Sequence, residues 1–217
     1  MHRVLNSFPN ILGRYSKTSL FIGGGLGAFA LPPFGLVPLF VLSLAIAFHA
    51  LDHTFTIKRA FTAGWIWGFG YFLFGLWWIG SAFFVEADYL WVMPLAVIFI
   101  PAGLAVFTAV GFALAYHLWF NHIARLFIFA ISLTYMELLR TFLFTGFPWN
   151  SFGMIFGSYL PSAQLAASIG LHGLTFITFL LFGLPYFIFN ERQKSRRLIL
   201  IVLTILSYAG LYGYGFY

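Results

Sequence analysis

Five long runs without a single Asp, Glu, Lys or Arg decide what this chain can become: Thr18 to Leu51, Ala60 to Val85, Tyr89 to Ala124, Thr141 to Asn190 and Leu198 to Tyr217. Each approaches or exceeds the roughly 20 residues that a bilayer-crossing helix needs, and the longest suffice for two crossings. With 62% hydrophobic and 7% charged residues, a water-soluble fold would leave large apolar areas in water. A transmembrane β-barrel would show segments of about 10 residues alternating apolar and polar, which this chain lacks. The reading is all-α, a polytopic helical membrane protein.

Proline, glycine and charge divide the runs into seven helices, at about 18–31, 36–51, 60–84, 91–119, 124–143, 161–190 and 198–217, in one transmembrane domain over 1–217. The break at Pro32, Pro33 and Gly35 separates the first two. Gly64 and Gly68 give the third a small-xxx-small face for close helix packing, and Trp77-Trp78 marks an interface. Residues 151–160 read as an irregular or re-entrant segment, with Pro161 suited to the first turn of the next helix. The N-terminal segment has no secretory cleavage pattern, so the first helix is read as retained.

Ten of the 11 basic residues fall on alternate loops. They are Arg3, Arg14 and Lys17; Lys58 and Arg59; Arg125; and Arg192, Lys194, Arg196 and Arg197. By the positive-inside rule that face is cytoplasmic, so the N-terminus is inside, while Glu86, Asp88, the Thr145–Asn150 turn and the C-terminus are outside. The dispersed cations make topology determinants rather than a nucleic-acid surface. Zero cysteines excludes disulfides, thiolate metal sites and a cysteine nucleophile from these 217 residues.

The exception is Arg140, which shares a predicted helix with Glu137 three residues earlier, so the two can pair on one face. An ionisable pair at membrane depth is costly and points to a task. Two readings stay open: a clamp tying the helix to the Gly146 turn, or an Arg140 fork holding a phosphate or carboxylate of a lipid. Phe147, Pro148 and Trp149 follow at the outer interface, as an anchor or as a lipid-binding or docking loop. The Phe29–Gly35 turn faces the same side, as a shared entrance requires. His49 and His53 lie four apart beside Asp52, but no third ligand is identifiable, so no metal is assigned. No GxSxG, P-loop or dinucleotide pattern occurs, and no cofactor is assigned.

FALPPFGLVP at 29–38, the Trp-Gly-Phe-Gly and Trp-Trp-Ile-Gly segments of the third helix, MELLRTFLFTGFPWN at 136–150 and IGLHGLTFI at 169–177 occur in the order seen in apolipoprotein N-acyltransferases. The chain resembles the membrane domain of that family over nearly its whole length. The resemblance implies an enzyme of the bacterial inner membrane that moves an acyl chain from phospholipid to the N-terminal diacylglyceryl-cysteine amine of a lipoprotein. In that family an extracytoplasmic nitrilase-like domain does the chemistry through a Glu, Lys and Cys triad and a thioester. These residues hold neither that domain nor a cysteine, so the expectation is a catalytically incomplete part with no catalytic residue of its own. It would be a truncated product, or the membrane subunit of a split enzyme with a separate nitrilase-like partner. By the same resemblance Glu137, Arg140, Phe147, Pro148 and Trp149 shape the lipid-facing floor and contact substrate. A non-enzymatic anchor or transporter is the remaining alternative, with one broken region rather than the paired broken helices of transporters. The oligomeric state stays open.

Overall fold

A computed structural model of the chain describes residues 16–85, 87–119, 123–146 and 148–216, and it is helical throughout, with no strand among them. Arg3, Arg14, Glu86, His122 and Phe147 lie outside the described residues. Among the described residues eight α-helices follow in order: α1 Lys17–Ala28, α2 Val37–Asp52, α3 Ile57–Gly75, α4 Met93–His117, α5 Ala124–Leu143, α6 Leu160–Ala163, α7 Ala166–Asn190 and α8 Lys194–Gly215. Short polar side chains start two of them. Ser16 accepts the Ser19 N–H at 3.0 Å, and Thr56 accepts the Arg59 N–H at 3.3 Å.

The stretch read as one helix over 60–84 folds as α3 and a 3-10 helix, Trp77–Phe84, bent from it by 43°. The change falls at Gly75 and Leu76, just before the bulky Trp77-Trp78 pair. A second 3-10 segment, Ala87–Val92, leads into α4. The stretch read as a helix over 161–190 folds as the single turn of α6 and then α7. Inside α7, Gly170 adopts φ 70°, a left-handed conformation that breaks the helix and suits glycine. Residues Phe152–Ser158, within the stretch read as irregular or re-entrant, form a further 3-10 helix.

Among the described residues, four helical stretches are long and apolar enough to cross a membrane: Asp88–His117, Ala124–Leu143, Ala166–Asn190 and Lys194–Gly215. The bent pair that starts with α3 makes a fifth candidate path, and α2 is shorter. These apolar helices make the chain a multi-pass membrane protein.

Helices α1, α3, α4, α5, α7 and α2 close a ring in that spatial order, each packed on the next. Glycine permits the tightest of these approaches. A Cβ on Gly24 of α1 would collide with the Trp67 carbonyl of α3, and one on Gly68 would collide with the Thr108 hydroxyl of α4. Thr108 uses that hydroxyl to donate to the Gly64 carbonyl at 3.1 Å, so the small-xxx-small face of α3 is its seam with α4.

The ring is filled by aromatic side chains, with Phe152 at the centre. Its ring lies 4.3 Å from Tyr71, 4.9 Å from Phe179, 5.6 Å from Trp67 and 6.0 Å from Phe40, centroid to centroid. The segment after the Thr145–Asn150 turn therefore dips into the bundle and plugs it with a buried phenyl group.

At one end of the ring Asp52, at the end of α2, gathers three other elements. Its carboxylate accepts from Arg125 of α5, from Trp119 Nε1 after α4 at 2.9 Å, and from Tyr186 Oη of α7 at 2.7 Å. Lys58, Arg59 and the Arg192–Arg197 turn belong to this same end, because they begin α3 and α8 where α2 and α7 finish.

Candidate functional site

The opposite end of the ring holds a half-open cavity of about 570 Å³. The turn between α1 and α2 supplies Pro32, Pro33 and Phe34. The end of α3 supplies Phe74 and Gly75, followed by Trp77 and Trp78, and the plug segment supplies Asn150, Gly153, Met154 and Gly157. Leu171 and Leu174 of α7 complete the wall just past the Gly170 break. The lining is mainly apolar, with Asn150 as its amide side chain. Its size lies within the range of pockets that enclose small ligands, and its walls suit a hydrocarbon chain.

The two outward turns singled out in the sequence thus meet at one cavity. Pro32–Pro33 has a cis peptide bond. The second turn is shaped by three left-handed residues, Thr145 at φ 58°, Gly146 at φ 88° and Asn150 at φ 44°. Asparagine tolerates that region better than most residues. The Gly146 N–H closes on the Thr141 carbonyl at 2.8 Å, and Tyr71 Oη holds the Asn150 carbonyl at 3.2 Å.

Beneath the turn, Glu137 and Arg140 are 4% and 1% exposed. Arg140 Nη2 stands 3.6 Å from Glu137 Oε1, an ion pair slightly too long for a hydrogen bond. The second carboxylate oxygen, Oε2, accepts the backbone N–H of Phe152 at 3.5 Å. The Arg140 guanidinium lies 5.0 Å from the Phe72 ring centre, within cation–π range. The pair therefore ties α5 to the plug segment just beyond the turn. A second anchor comes from Thr175 of α7, whose Oγ1 accepts the Gly153 N–H at 3.1 Å and lies 3.1 Å from Ser151 Oγ.

Glu137 and Arg140 thus come together as the sequence predicts and form the buried support. Pro148 and Trp149 sit half-buried on the turn above them, with Trp149 packed against the core. Asn150, Met154, Leu171 and Leu174 were missed as cavity residues. The signal available for the last two was Gly170, in a segment otherwise read as plain helix. His49 and His53 stack at 4.2 Å between ring centroids, and His53 Nδ1 contacts the His49 carbonyl at 2.8 Å. Among the described residues no group of three or more His, Cys, Asp or Glu is placed to hold a metal.

Residues 23–184 match the family model described as the apolipoprotein N-acyltransferase N-terminal domain. A protein named apolipoprotein N-acyltransferase from Rhodopseudomonas palustris is 42% identical over 81% of this chain and 34% of its own length. Proteins of the same name from Rhizobium rhizogenes and Sinorhizobium fredii are 37% and 38% identical over 90% and 91% of this chain, and each is covered over 38% of its length. The chain therefore spans little more than a third of these relatives.

Proposed function

The chain belongs to the apolipoprotein N-acyltransferase family, through that family's N-terminal membrane domain, and from this premise we propose that it binds the phospholipid acyl donor for N-acylation of lipoproteins. The observation that carries the reading is the apolar cavity built jointly by the Pro32-Pro33 turn and the plug segment. A lipid tail entering there would exchange the bilayer for Phe34, Met154, Leu171 and Leu174, and Trp77 and Trp78 would sit at headgroup level. Pro148 and Trp149 form the rim of this floor in the proposal, and Phe147, outside the described residues, is assigned to the same substrate-binding set. Glu137 and Arg140 set its shape from below, by holding Phe152 in the ring. They position substrate and form no bond with it.

The proposed setting is the bacterial inner membrane, crossed seven times. The basic end near Asp52 and Arg125 is cytoplasmic, and the cavity and the end of α8 are periplasmic. The bond-making chemistry is assigned to a nitrilase-like catalytic unit seated over the cavity, where a lipoprotein N-terminus can reach the acyl group. These 217 residues contain no cysteine to form a thioester.

The test is N-acylation of a lipoprotein peptide by the full-length enzyme carrying Ala166→Trp, which adds bulk at the first residue of α7, where Ala166 also lines the cavity. The expected result is a fall in kcat/KM of about tenfold or more, with the acyl donor misplaced, and unchanged unfolding behaviour. Unchanged kcat/KM in a folded variant would contradict the reading.

A further inference from the structure

At the end of the molecule away from the cavity, α8 begins with a concentrated cationic turn. Arg192, Lys194, Arg196 and Arg197 lie within six residues, with Glu191 as the acidic neighbour. Lys194, Arg196 and Arg197 are exposed. The turn is structured: Arg197 Nε donates to the Glu191 carbonyl at 3.0 Å, while the Glu191 carboxylate is drawn back to accept the Gln193 N–H at 2.9 Å. The acidic group is thereby engaged by backbone, and the cations dominate the surface.

Apolar groups flank this turn on both sides. Phe189 is 81% exposed, and Leu198 and Ile199 are 62% and 57% exposed. In a membrane these side chains belong in the hydrocarbon, which sets the cations about one helical turn farther out, at headgroup depth. Helix α8 also has little protein to fix it. Very little of its apolar length is buried within the protein, and Leu211 is its buried residue. Its far end is tied by the Tyr214–Ser168 hydroxyl contact and by Gly215 packed beneath Pro161. Its first turn is held by Arg197, whose Nε and Nη2 both donate to the carbonyl of Glu191 at the end of α7, so the tie there runs to the connecting turn rather than to the ring core.

We infer that Lys194, Arg196 and Arg197 form a binding site for the phosphate of anionic phospholipid headgroups, and that this contact sets the depth of α8 in the bilayer. Charge complementarity specifies the partner. Clustered Lys and Arg just outside a membrane helix attract anionic lipid, and guanidinium forks match phosphate oxygens. The flanking apolar side chains favour a lipid surface over free phosphate, because soluble anions gain nothing from them. The site is separate from the cavity and does not depend on the function proposed for it.

The experiment is a titration of phosphatidylglycerol into nanodiscs of phosphatidylcholine that carry the full-length protein, with a fluorescent probe at the start of α8. Each cation removed should weaken the apparent affinity about fivefold, so K194Q/R196Q/R197Q should weaken it about a hundredfold. The charge-preserving variant K194R/R196K/R197K should retain most of the response, which separates loss of charge from loss of fold. A triple glutamine variant that titrates like the parent would overturn the inference. So would equal competition by soluble glycerol phosphate, which would assign the turn to free phosphate.

Discussion

Glu137 Oε2 accepts the backbone N–H of Phe152, 15 residues farther along the chain, at 3.5 Å. This contact joins the only acidic side chain within α5 to the phenyl plug of the whole ring, and Arg140 stands beside it at 3.6 Å. Removing one partner strands the other charge at membrane depth, where a lone ion is most costly.

Glu137→Gln and Arg140→Met should therefore each cost about 3–5 kcal/mol, while the double variant should cost well below their sum. Unfolding in mixed micelles measures the cycle. Additive losses would show that the two side chains do not act as a pair.

The Asp52 cluster makes a graded prediction. Asp52→Asn leaves the partly buried Arg125 without the Asp52 carboxylate and should cost about 2–3 kcal/mol, whereas Tyr186→Phe removes one hydrogen bond and should cost about 1 kcal/mol. The same unfolding assay ranks them, and a larger loss for Tyr186→Phe would contradict the assignment.

Two helical glycines should respond in opposite ways to one added methyl group. Gly24→Ala drives a Cβ into the Trp67 carbonyl and should cost about 1–3 kcal/mol. At Gly103 a Cβ meets nothing within 4 Å, so Gly103→Ala should be neutral or stabilise α4 by up to about 1 kcal/mol. Thermal unfolding of the two variants side by side checks the α1–α3 seam.

Phe152→Ala should cost about 3–5 kcal/mol, because it empties the centre of the aromatic cluster. It should also loosen the plug that forms the cavity floor. Proteolysis near residues 150–158 in intact vesicles would report this, with faster cleavage than in the parent protein.

Much of this arrangement was legible in the sequence where the cause is local. Uncharged runs and proline breaks marked the apolar helices, the Gly64–Gly68 spacing marked a close-packed face, and the spacing of Glu137 and Arg140 placed both on one side of α5. What escaped depends on approach between distant segments. Asp52 and Tyr186 are 134 positions apart, and no pattern around either signals the hydrogen bond between them. Met154 becomes a cavity residue only because Phe152 is drawn into the ring. The bend after Gly75 was hidden because Trp77–Phe84 is as apolar as α3 itself, so hydropathy runs on while the backbone changes helix type.

In the function proposed above, the cavity between the Pro32-Pro33 turn and the plug segment takes a phospholipid tail. Photolabelling of the full-length protein in detergent, with a limiting amount of phospholipid carrying a diazirine in its tail, tests it most directly, with the adducts mapped by mass spectrometry. Adducts should concentrate at Phe34, Met154, Leu171 and Leu174 and be suppressed by unlabelled phospholipid, with little labelling at the exposed Phe99 and Ile131. Labelling that follows surface exposure, with Phe99 marked at least as strongly as Met154, would contradict it.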